Sequence, residues 1–330
     1  MNTINIAVLG LAHVHAEVYI RCIRNNPHAK LLGIWDSDPL RLAAECERFD
    51  VPFTGALEEL LEQKPQLVVV CSENARHTAL VIAAAQRGIP VLCEKPLGTN
   101  REDMRTMIEV CKANNVGLMT AFPNRFLDTV QRVRDTIRNG ALGELLTVKA
   151  TNRGKMPGGF FIEPELSGGG SMMDHVVHVT DLLNWFLDEV PQWVYAMSDT
   201  RFYPELKVED AAIVQMRYPC GLAVMLDASW SLCQKNPGAR DLTMDIVGTK
   251  GSLSLDIVEG HNELLSVHTD RRLYFDLGED KSQRMVDAAI ACVMEGIPFP
   301  ITGEDGHRAA VAAFAALESA GGTEPVQVQL

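Results

Sequence analysis

The stretch that decides the fold is VLCEKPLG, residues 91–98. Residues 90–93 predict a short buried strand, and Pro96 ends it because proline has no N–H to donate to a neighbouring strand. Lys95 therefore lies at the carboxyl end of a strand, the edge at which open α/β sheets bind ligands. A lysine partly removed from water there can exchange protons near neutrality, although a solvated loop lysine would give the same short sequence.

The first 121 residues alternate apolar strands with helical segments. The continuous apolar run at residues 67–71 is typical of a strand covered on both faces of a parallel sheet. Strands separated by helices predict a Rossmann-type, doubly wound parallel sheet. The predicted strands are residues 4–9, 30–35, 67–71, 90–93 and 117–121.

The pattern changes after residue 121. A glycine-rich stretch at 153–170 contains Phe160 and Phe161 and predicts a loop over a site, or else a disordered linker. Alternating strands dominate from 190 to about 277, which indicates an antiparallel sheet. Helices are predicted at 124–139, 172–187, 281–295 and 304–319. We therefore predict an NAD(P)-binding domain at 1–122 and, at 123–330, an α+β domain with a large open, mainly antiparallel sheet whose C-terminal segment could pack back on the first domain.

The composition excludes several classes of function. The 330 residues carry a net charge of −13, which disfavours binding to nucleic acid or to an anionic membrane. No run of about 18 apolar residues predicts a membrane span, and we expect no signal peptide. The eight cysteines form no Cys-x-x-Cys pair, so a zinc ribbon is not expected. Scattered cysteines fit a reducing compartment, and we expect the protein in the cytoplasm.

The turn after the first strand is a degenerate dinucleotide site. The usual pattern is Gly-x-Gly-x-x-Gly, whereas this chain has Gly10, Ala12 and His15 at the glycine positions. Asp36 ends the second strand, where a carboxylate can accept hydrogen bonds from a ribose diol and would repel a 2′-phosphate. This favours NAD over NADP, although Arg41 leaves room for NADP and Asp36 could instead be a turn or helix-cap residue.

A second polar segment is GGGSMMDHVVHVTD, residues 168–181. On a helix, Asp174, His178 and Asp181 share one face, because they are spaced i, i+4 and i+7. A histidine between two acids can be an acid or base whose tautomer a carboxylate fixes, and a structural histidine fits the same pattern. His175 is turned about 100° from Asp174 and is expected to face elsewhere, in the core or at an interface.

With both segments in view, the chain resembles the glucose-fructose oxidoreductase / inositol dehydrogenase / MocA (Gfo/Idh/MocA) family. The resemblance rests on Glu-Lys-Pro at 94–96 and on GGGxxxDxxxHxxD, and it extends along almost the whole chain. It implies nicotinamide-dependent oxidation of a secondary alcohol on a sugar or cyclitol, or the reverse reduction. The other matching motifs are NxxH at 74–77, RF at 125–126, GxxG at 140–143, EDxA at 209–212, VGTKG at 247–251 and TGEDG at 302–306.

The resemblance also implies roles for individual residues. Lys95 would stabilise the developing alkoxide, His178 would accept the hydroxyl proton, and Asp174 would position the substrate. The implied cofactor-binding residues are Gly10, Ala12, His13, Val14, Asp36, Ser72, Asn74, His77, Glu94, Lys95 and Pro96, of which His77 fits a structural role better. The implied substrate-binding residues are Asn124, Arg125, Arg153, Lys155, Asp174 and His178, although Asn124, Arg153 and Lys155 could equally be structural or surface residues.

Three alternatives remain open. His13 could join Asp174, His175 and His178 in a zinc or manganese site, since imidazoles and carboxylates suit divalent cations. A lyase or glycosidase could use bound NAD transiently, oxidising a sugar before it eliminates or hydrolyses a neighbouring bond. A non-catalytic nucleotide sensor could retain the fold, although the presence of Lys95 argues against it.

The expected partners are a small sugar or polyol and further copies of the chain. In this family the open sheet of the second domain usually meets another subunit. The resemblance therefore implies a homodimer or homotetramer.

Overall fold

In the computed structural model, the described residues are 3–51, 55–236, 241–257, 261–264, 273–276 and 280–330. Two sheets dominate the architecture, one in each half of the chain. The predicted strand region reaches residue 277 and so lies partly outside the described residues.

The first sheet is parallel and contains β1 (Ile4–Leu9), β2 (Ala29–Trp35), β3 (Leu67–Val70), β4 (Val91–Cys93) and β5 (Leu118–Thr120). Its strand order is β2-β1-β3-β4-β5, which confirms the Rossmann-type fold class. The order reverses between β1 and β3, and ligands bind at the carboxyl ends of strands around such a point. The helices of this half are α1 (Ala16–Asn25), α2 (Pro39–Phe49), α3 (Leu57–Glu62), α4 (His77–Ala85) and α5 (Arg101–Ala113).

The second half carries the strands β6 (Leu145–Thr151), β7 (Trp193–Asp199), β8 (Ala211–Arg217), β9 (Ala223–Asp227), β10 (Thr243–Gly248), β11 (Gly251–Asp256), β12 (His261–Leu264), β13 (Leu273–Asp276) and β14 (Val326–Gln327). Seven form a sheet in the order β11-β10-β6-β9-β8-β7-β14, and β12 pairs with β13. Only β6 and β9 pair in parallel among the described strands of this sheet, so the prediction of a mainly antiparallel sheet is confirmed.

The helices of the second half are α6 (Asp128–Arg138), α7 (Pro164–Ser167), α8 (Ser171–Leu187), α9 (Lys281–Glu295) and α10 (Gly303–Ala320). Helices α8 and α10 pack together against one face of the seven-stranded sheet. Thr180 Oγ1 donates to the Ala309 carbonyl at 3.0 Å, and Asn184 Nδ2 donates to the Arg308 carbonyl at 3.0 Å. Within the described ranges, every helix is too short or too polar to cross a membrane.

The C-terminal helices also contact the first half of the chain. In α9, Gln283 Nε2 donates to the Cys22 carbonyl at 3.0 Å, and Asn26 Nδ2 donates to Asp287 at 2.6 Å. Helix α10 packs on α5 and β5. The two halves are therefore joined by buried contacts as well as by the chain itself.

The other face of the seven-stranded sheet is open. Side chains alternate between the covered and the open face along each strand, as the pleat requires. Four large apolar side chains on the open face are between 37% and 56% exposed: Met197, Ile213, Met225 and Val247. These side chains belong to β7, β8, β9 and β10.

The turn after β1 needs glycine at position 10. Gly10 has a φ of +81°, a left-handed conformation that disfavours side chains. A Cβ there would also lie 2.4 Å from backbone atoms of Ser72, which follows β3. The turn after β1 therefore presses directly against the end of β3.

We expect Gly10→Ala to lower the melting temperature more than Gly88→Ala does. Both glycines have positive φ, so both variants lose about 1–2 kcal/mol from the left-handed backbone. Only the Gly10 variant meets other atoms, because nothing lies within 4 Å of a Cβ at Gly88. Thermal denaturation of the two variants measures the difference. Equal losses would contradict the close approach of this turn to Ser72.

Candidate active site

The two polar segments of the sequence meet in an ion pair. Lys95 follows β4, Asp174 lies in the first turn of α8, and Lys95 Nζ is 2.7 Å from Asp174 Oδ1. The Lys95 side chain is 4% exposed and the Asp174 side chain 14%. A buried ammonium at the carboxyl edge of the parallel sheet is thus matched by a carboxylate from the other half of the chain.

The start of α8 is fixed by Glu209. Its carboxylate accepts hydrogen bonds from the backbone N–H groups of Gly170 at 3.0 Å and Met172 at 2.9 Å. These bonds satisfy N–H groups that a helix leaves free at its first turn, where negative charge is also favourable. A Cβ on Gly170 would lie 2.0 Å from the Glu209 carbonyl oxygen, so glycine is required there. Glu209 and Gly170 together set the position of Asp174.

Three side chains donate to the Asp174 carboxylate. Besides Lys95 at Oδ1, His175 Nε2 and Trp230 Nε1 each lie 3.2 Å from Oδ2. Burial acts to raise the pKa of Asp174, but Lys95 and His175 outweigh burial and hold this pKa well below its usual range. Asp174 is therefore an anion under physiological conditions.

The prediction that His175 faces away from Asp174 is wrong. A rotation of 100° separates the two Cβ positions around α8, yet both side chains are long enough to bring their polar atoms within contact. His175 is 7% exposed and lies against the carboxylate of the ion pair. It belongs to the site.

The polar stripe predicted along α8 divides into two parts. His178 is partly exposed, with its ring centroid 6.3 Å from that of Phe122. Asp181 is buried and accepts hydrogen bonds from Arg125 Nε at 3.0 Å and Nη2 at 2.6 Å. Arg125 Nη2 also lies 3.1 Å from Asp305. Asp181 thus joins α8 to its neighbours, and the guanidinium of Arg125 is engaged by two carboxylates.

The turn after β1 places histidines against Glu94. His15 Nδ1 lies 2.9 Å from Glu94 Oε1, which also accepts from the Tyr19 hydroxyl, and the Lys95 backbone N–H donates to Oε2 at 3.0 Å. Burial acts to raise the pKa of Glu94, but His13, His15 and Lys95 outweigh burial and hold this pKa well below its usual range. Glu94 is thus a buried carboxylate beside Lys95.

His13 carries a hydrogen that has no acceptor. Its Nδ1 accepts from the His15 backbone N–H at 3.1 Å, so the hydrogen of the neutral ring is on Nε2. Nε2 is 3.8 Å from Glu94 Oε2 and lacks a hydrogen-bond partner among the described residues. Burial lowers the pKa of His13 to about 3, so the ring is neutral at physiological pH. The rings of Phe160 and Phe161 lie 6.0 and 5.2 Å from it.

One group of side chains in the described ranges is compact enough to hold a cation: His13, His15 and Glu94, whose ligand atoms lie within 4.8 Å of one another. Coordination through His13 Nε2 would move its hydrogen to Nδ1, where the His15 N–H already donates. Both Glu94 oxygens already accept protein hydrogen bonds. The geometry therefore favours a hydrogen-bond network. The alternative that placed His13 with residues of α8 in a metal site is not supported by any such group among the described side chains.

Asp36 lies at the carboxyl end of β2 and is 4% exposed. Its Oδ2 accepts from the Leu11 N–H at 2.6 Å and its Oδ1 from the Asp38 N–H at 2.7 Å. Arg41 Nη1 lies 3.1 Å from Asp36 and 3.5 Å from Glu73. Asp36 therefore holds the turn after β1 in place, and Arg41 is shared among three carboxylates, since its Nη2 also lies 3.8 Å from Asp38.

The segment after β3 links neighbouring loops. Asn74 Nδ2 donates to the Ser167 carbonyl at 2.9 Å, which connects it to the second half of the chain. His77 is fully buried, and its ring nitrogens lie 3.2 and 3.3 Å from the carbonyl oxygens of Leu97 and Ser72. These contacts give His77 a structural role in holding the ends of β3 and β4 together.

The other predicted substrate contacts have different surroundings. Asn124 accepts a hydrogen bond from Lys281. Arg153 donates through Nε to Asp241 at 2.8 Å, so its guanidinium is held by a carboxylate. Lys155 is partly exposed on the loop after β6.

An apolar wall stands beside the ion pair. Phe160, Phe161, Val208 and Trp230 form a buried cluster, and Ala12 of the turn after β1 packs against it. Phe160 and Phe161 belong to the predicted loop over a site, which contains a short 3₁₀ turn and α7. The contribution of Trp230 was missed, because its sequence position in a strand region gives no signal of contact with α8.

A groove of about 1250 Å³ lies away from these residues. Its lining includes Gly88, Val116 and Phe299, at the amino ends of β4 and β5. The ion pair is at the carboxyl end of β4, so this groove is on the opposite edge of the sheet and adds nothing to the site.

Two family models match the chain. The model described as "Oxidoreductase family, NAD-binding Rossmann fold" matches residues 4–122. The model described as "GFO/IDH/MocA C-terminal domain" matches residues 130–254. The two matched ranges include all of the parallel sheet and most of the seven-stranded sheet.

Individual relatives match over most of their length. The chain is 28% identical to the myo-inositol 2-dehydrogenase of Thermotoga maritima over 95% of each protein. It is 26% identical to the 2,7-anhydro-N-acetylneuraminate hydratase of Escherichia coli, over 90% of this chain and 82% of that protein. A crystal structure of a probable dehydrogenase from Thermotoga maritima is 28% identical, with a TM-score of 0.83 over 98% of each chain.

We expect the pH dependence of stability to show that His13 is buried as a neutral ring. An unfolded imidazole titrates near pH 6.5, whereas the folded state binds no proton there until about pH 3. The unfolded state therefore binds more protons between these values, and the free energy of unfolding falls by about 1.4 kcal/mol per pH unit as the pH drops below about 6.5. His13→Gln keeps a donor but does not titrate, so urea denaturation at pH 7 and pH 5 should show a smaller loss in the variant. Identical losses would contradict the neutral ring.

Proposed function

Because the chain belongs to the Gfo/Idh/MocA family of NAD-dependent oxidoreductases, we propose that it transfers a hydride between a nicotinamide cofactor and a secondary alcohol or ketone carbon of a sugar, cyclitol or related polyol. The observation that carries this proposal is the buried Lys95–Asp174 ion pair at the carboxyl edge of the parallel sheet. A fixed ammonium at this edge stabilises the alkoxide that develops as a hydroxyl loses its proton.

Each residue of the site would have its own role in the hydride transfer. Lys95 Nζ stabilises the alkoxide oxygen, and Asp174 orients Lys95 and the substrate hydroxyl. Because Asp174 is held as an anion by three donors, it does not accept the proton. His178, one helical turn further along α8, accepts it. The nicotinamide, when bound, supplies the acceptor of the hydride.

The surroundings of the turn after β1 support a dinucleotide at this edge. Gly10 lets the backbone approach closely, and the His13 Nε2–H is a buried donor with no protein acceptor among the described residues. Asp36 favours NAD over NADP, because its carboxylate would repel a 2′-phosphate and Arg41 is already shared among three carboxylates. We assign the remaining cofactor contacts to Ala12, Val14, Ser72, Asn74, Glu94, Lys95 and Pro96, whereas His77 keeps the structural role that its buried contacts give it.

The substrate would lie between the two halves, with residues 1–122 as the cofactor domain and residues 123–330 as the substrate and oligomerisation domain. Arg125 and Arg153 hold protein carboxylates. We therefore assign the polar substrate contacts to Asp174, His178 and Lys155. A sugar or polyol is supported by the similarity to a relative named myo-inositol 2-dehydrogenase.

A second candidate reaction is favoured by one similarity. The Escherichia coli relative is named a hydratase, which is not a dehydrogenase name. In the second reaction, bound NAD oxidises a sugar transiently before a neighbouring bond is eliminated or hydrolysed. The two reactions differ in whether NADH accumulates.

The open sheet face supports a homo-oligomer, a dimer or a tetramer. Met197 and Ile213 lie opposite each other on β7 and β8, and Met225 is on the adjacent β9; all three are exposed in the single chain. A second copy would remove this apolar surface from water. The eight cysteines all lie in the described ranges and form no disulfide there, which supports a reducing compartment such as the cytoplasm.

We expect Lys95→Met to lower turnover by about 10²- to 10⁴-fold while NAD still binds, because the variant loses the charge that stabilises the alkoxide. NADH fluorescence with inositols, aldoses, sugar acids and glycosides measures turnover, with NAD and NADP in parallel. Lys112→Met is the matched control, since Lys112 is a 68% exposed lysine paired with Glu304.

Full turnover in Lys95→Met would contradict the role of Lys95. A wild-type protein that binds NAD but forms no NADH with any compound would favour the transient reaction. Product analysis on glycosides would then identify the bond that is broken.

We expect the wild-type protein to be a dimer or tetramer by size-exclusion chromatography with light scattering. Met225→Lys combined with Ile213→Lys should shift it toward monomer, because two charges would have to be buried without partners. Leu40→Lys is the control, since Leu40 is an 81% exposed leucine on α2, away from the sheet. A monomeric wild-type protein would contradict the proposed interface.

A further inference from the structure

The two oxygens of Asp174 have different partners. Oδ1 faces Lys95 across the boundary between the two halves, at 2.7 Å. Oδ2 faces its own half, where His175 Nε2 and Trp230 Nε1 both lie 3.2 Å away. The two ring donors therefore share one oxygen and leave the other to the lysine.

The direction of both hydrogen bonds is fixed by chemistry. An ionised carboxylate only accepts, and an indole N–H only donates. His175 Nε2 must therefore carry a hydrogen. His175 Nδ1 is buried and has no hydrogen-bond partner among the described residues. Within that part of the chain, the contact between Nε2 and Asp174 is therefore the polar contact of this ring.

Both donors are held by their own surroundings. The His175 backbone carbonyl accepts from Asn152 Nδ2 at 2.9 Å, and the Trp230 backbone N–H donates to the Asp210 carbonyl at 2.8 Å. Trp230 is 1% exposed within the apolar wall. The backbone at both residues is therefore held in place, and the indole of Trp230 is also packed among apolar side chains.

We propose that His175 and Trp230 are positioning residues that hold the Asp174 carboxylate through Oδ2, so that Oδ1 fixes Lys95 at the reacting hydroxyl. This inference rests on the proposed hydride transfer, and it adds two residues to the reaction that touch neither the reacting atoms nor the cofactor. A purely structural histidine would need no particular nitrogen to face the carboxylate, whereas this role requires a donor at the position of Nε2.

The charged and titratable groups around Asp174 come from several elements. Lys95 follows β4, His13 lies in the turn after β1, and His175 and His178 are on α8 itself. Lys95, His13 and His178 are all retained when His175 is replaced by an uncharged side chain. A change in the titration of Asp174 is then assigned to the lost donor.

The test compares His175→Gln with His175→Leu. The glutamine amide can donate from about the position of Nε2, whereas leucine fills the space without a donor. We expect His175→Leu to lower kcat by about 10- to 100-fold with a smaller change in KM, the loss expected for one hydrogen bond to a charged group. His175→Gln should restore most of this loss.

Two further measurements test the positioning role independently of His175→Leu turnover. Trp230→Phe removes the other donor at Oδ2 and should also lower kcat more than it changes KM, so the test remains possible if His175→Leu fails to fold. The ¹³C titration of the Asp174 carboxyl in the protein without substrate should move to higher pH in His175→Leu and Trp230→Phe but not in His175→Gln.

A failure of the proposed function can be distinguished from a failure of the positioning role. A wild-type protein that turns over no polyol contradicts the proposed function, while the carboxyl titration still tests the positioning. Turnover by the wild-type protein, with kcat and the carboxyl titration unchanged in His175→Leu and Trp230→Phe, contradicts the positioning role alone. Equal losses in His175→Gln and His175→Leu would also overturn it.

Discussion

The ion pair between Lys95 and Asp174 is the interaction on which the site depends, because its two members come from different sheets. Lys95 is placed by the end of β4, and Asp174 by the first turn of α8. Everything that locates α8 therefore also locates the charge beside the lysine. Glu209 binds the first N–H groups of α8, and contacts between α8, α10, α5 and β5 hold the helix against the first half of the chain. The packing of the two halves thus sets the geometry of the chemistry.

A buried ion pair needs this support. Removing two charges from water costs several kcal/mol for each ion, and the attraction between them offsets that cost only when further hydrogen bonds are made. Here the carboxylate gains the two ring donors, His175 and Trp230. The loss of one partner would leave an unpaired buried charge, a cost of about 3–5 kcal/mol. The ion pair is therefore weak evidence for a contribution to the stability of the fold. It is stronger evidence for a functional site in which charge is required.

Much of the fold follows from the sequence, because strand periodicity and glycine turns are local signals. The sequence predicts the parallel sheet, the mainly antiparallel sheet and α8. It also indicates Lys95 and Asp174 as candidate site residues. The contacts that the sequence does not predict join residues far apart in the chain or depend on the reach of long side chains. Trp230 reaches Asp174 from 56 residues away, and Tyr19 reaches Glu94 from 75 away. A helical projection separates His175 from Asp174, but it takes no account of side-chain reach. The helical spacing also groups Asp181 with Asp174 and His178. In the structure, Asp181 instead pairs with Arg125, away from the Lys95–Asp174 pair.

The central claim is that the Lys95–Asp174 pair serves hydride transfer from a polyol carbon to nicotinamide. The most direct measurement uses ring-perdeuterated inositol and aldoses with NAD, followed by mass spectrometry of the nicotinamide. The account predicts deuterium at C4 of the NADH formed. A protein that binds NAD, releases NADH and leaves its C4 unlabelled, or binds NAD and never labels it with any polyol, would contradict the account.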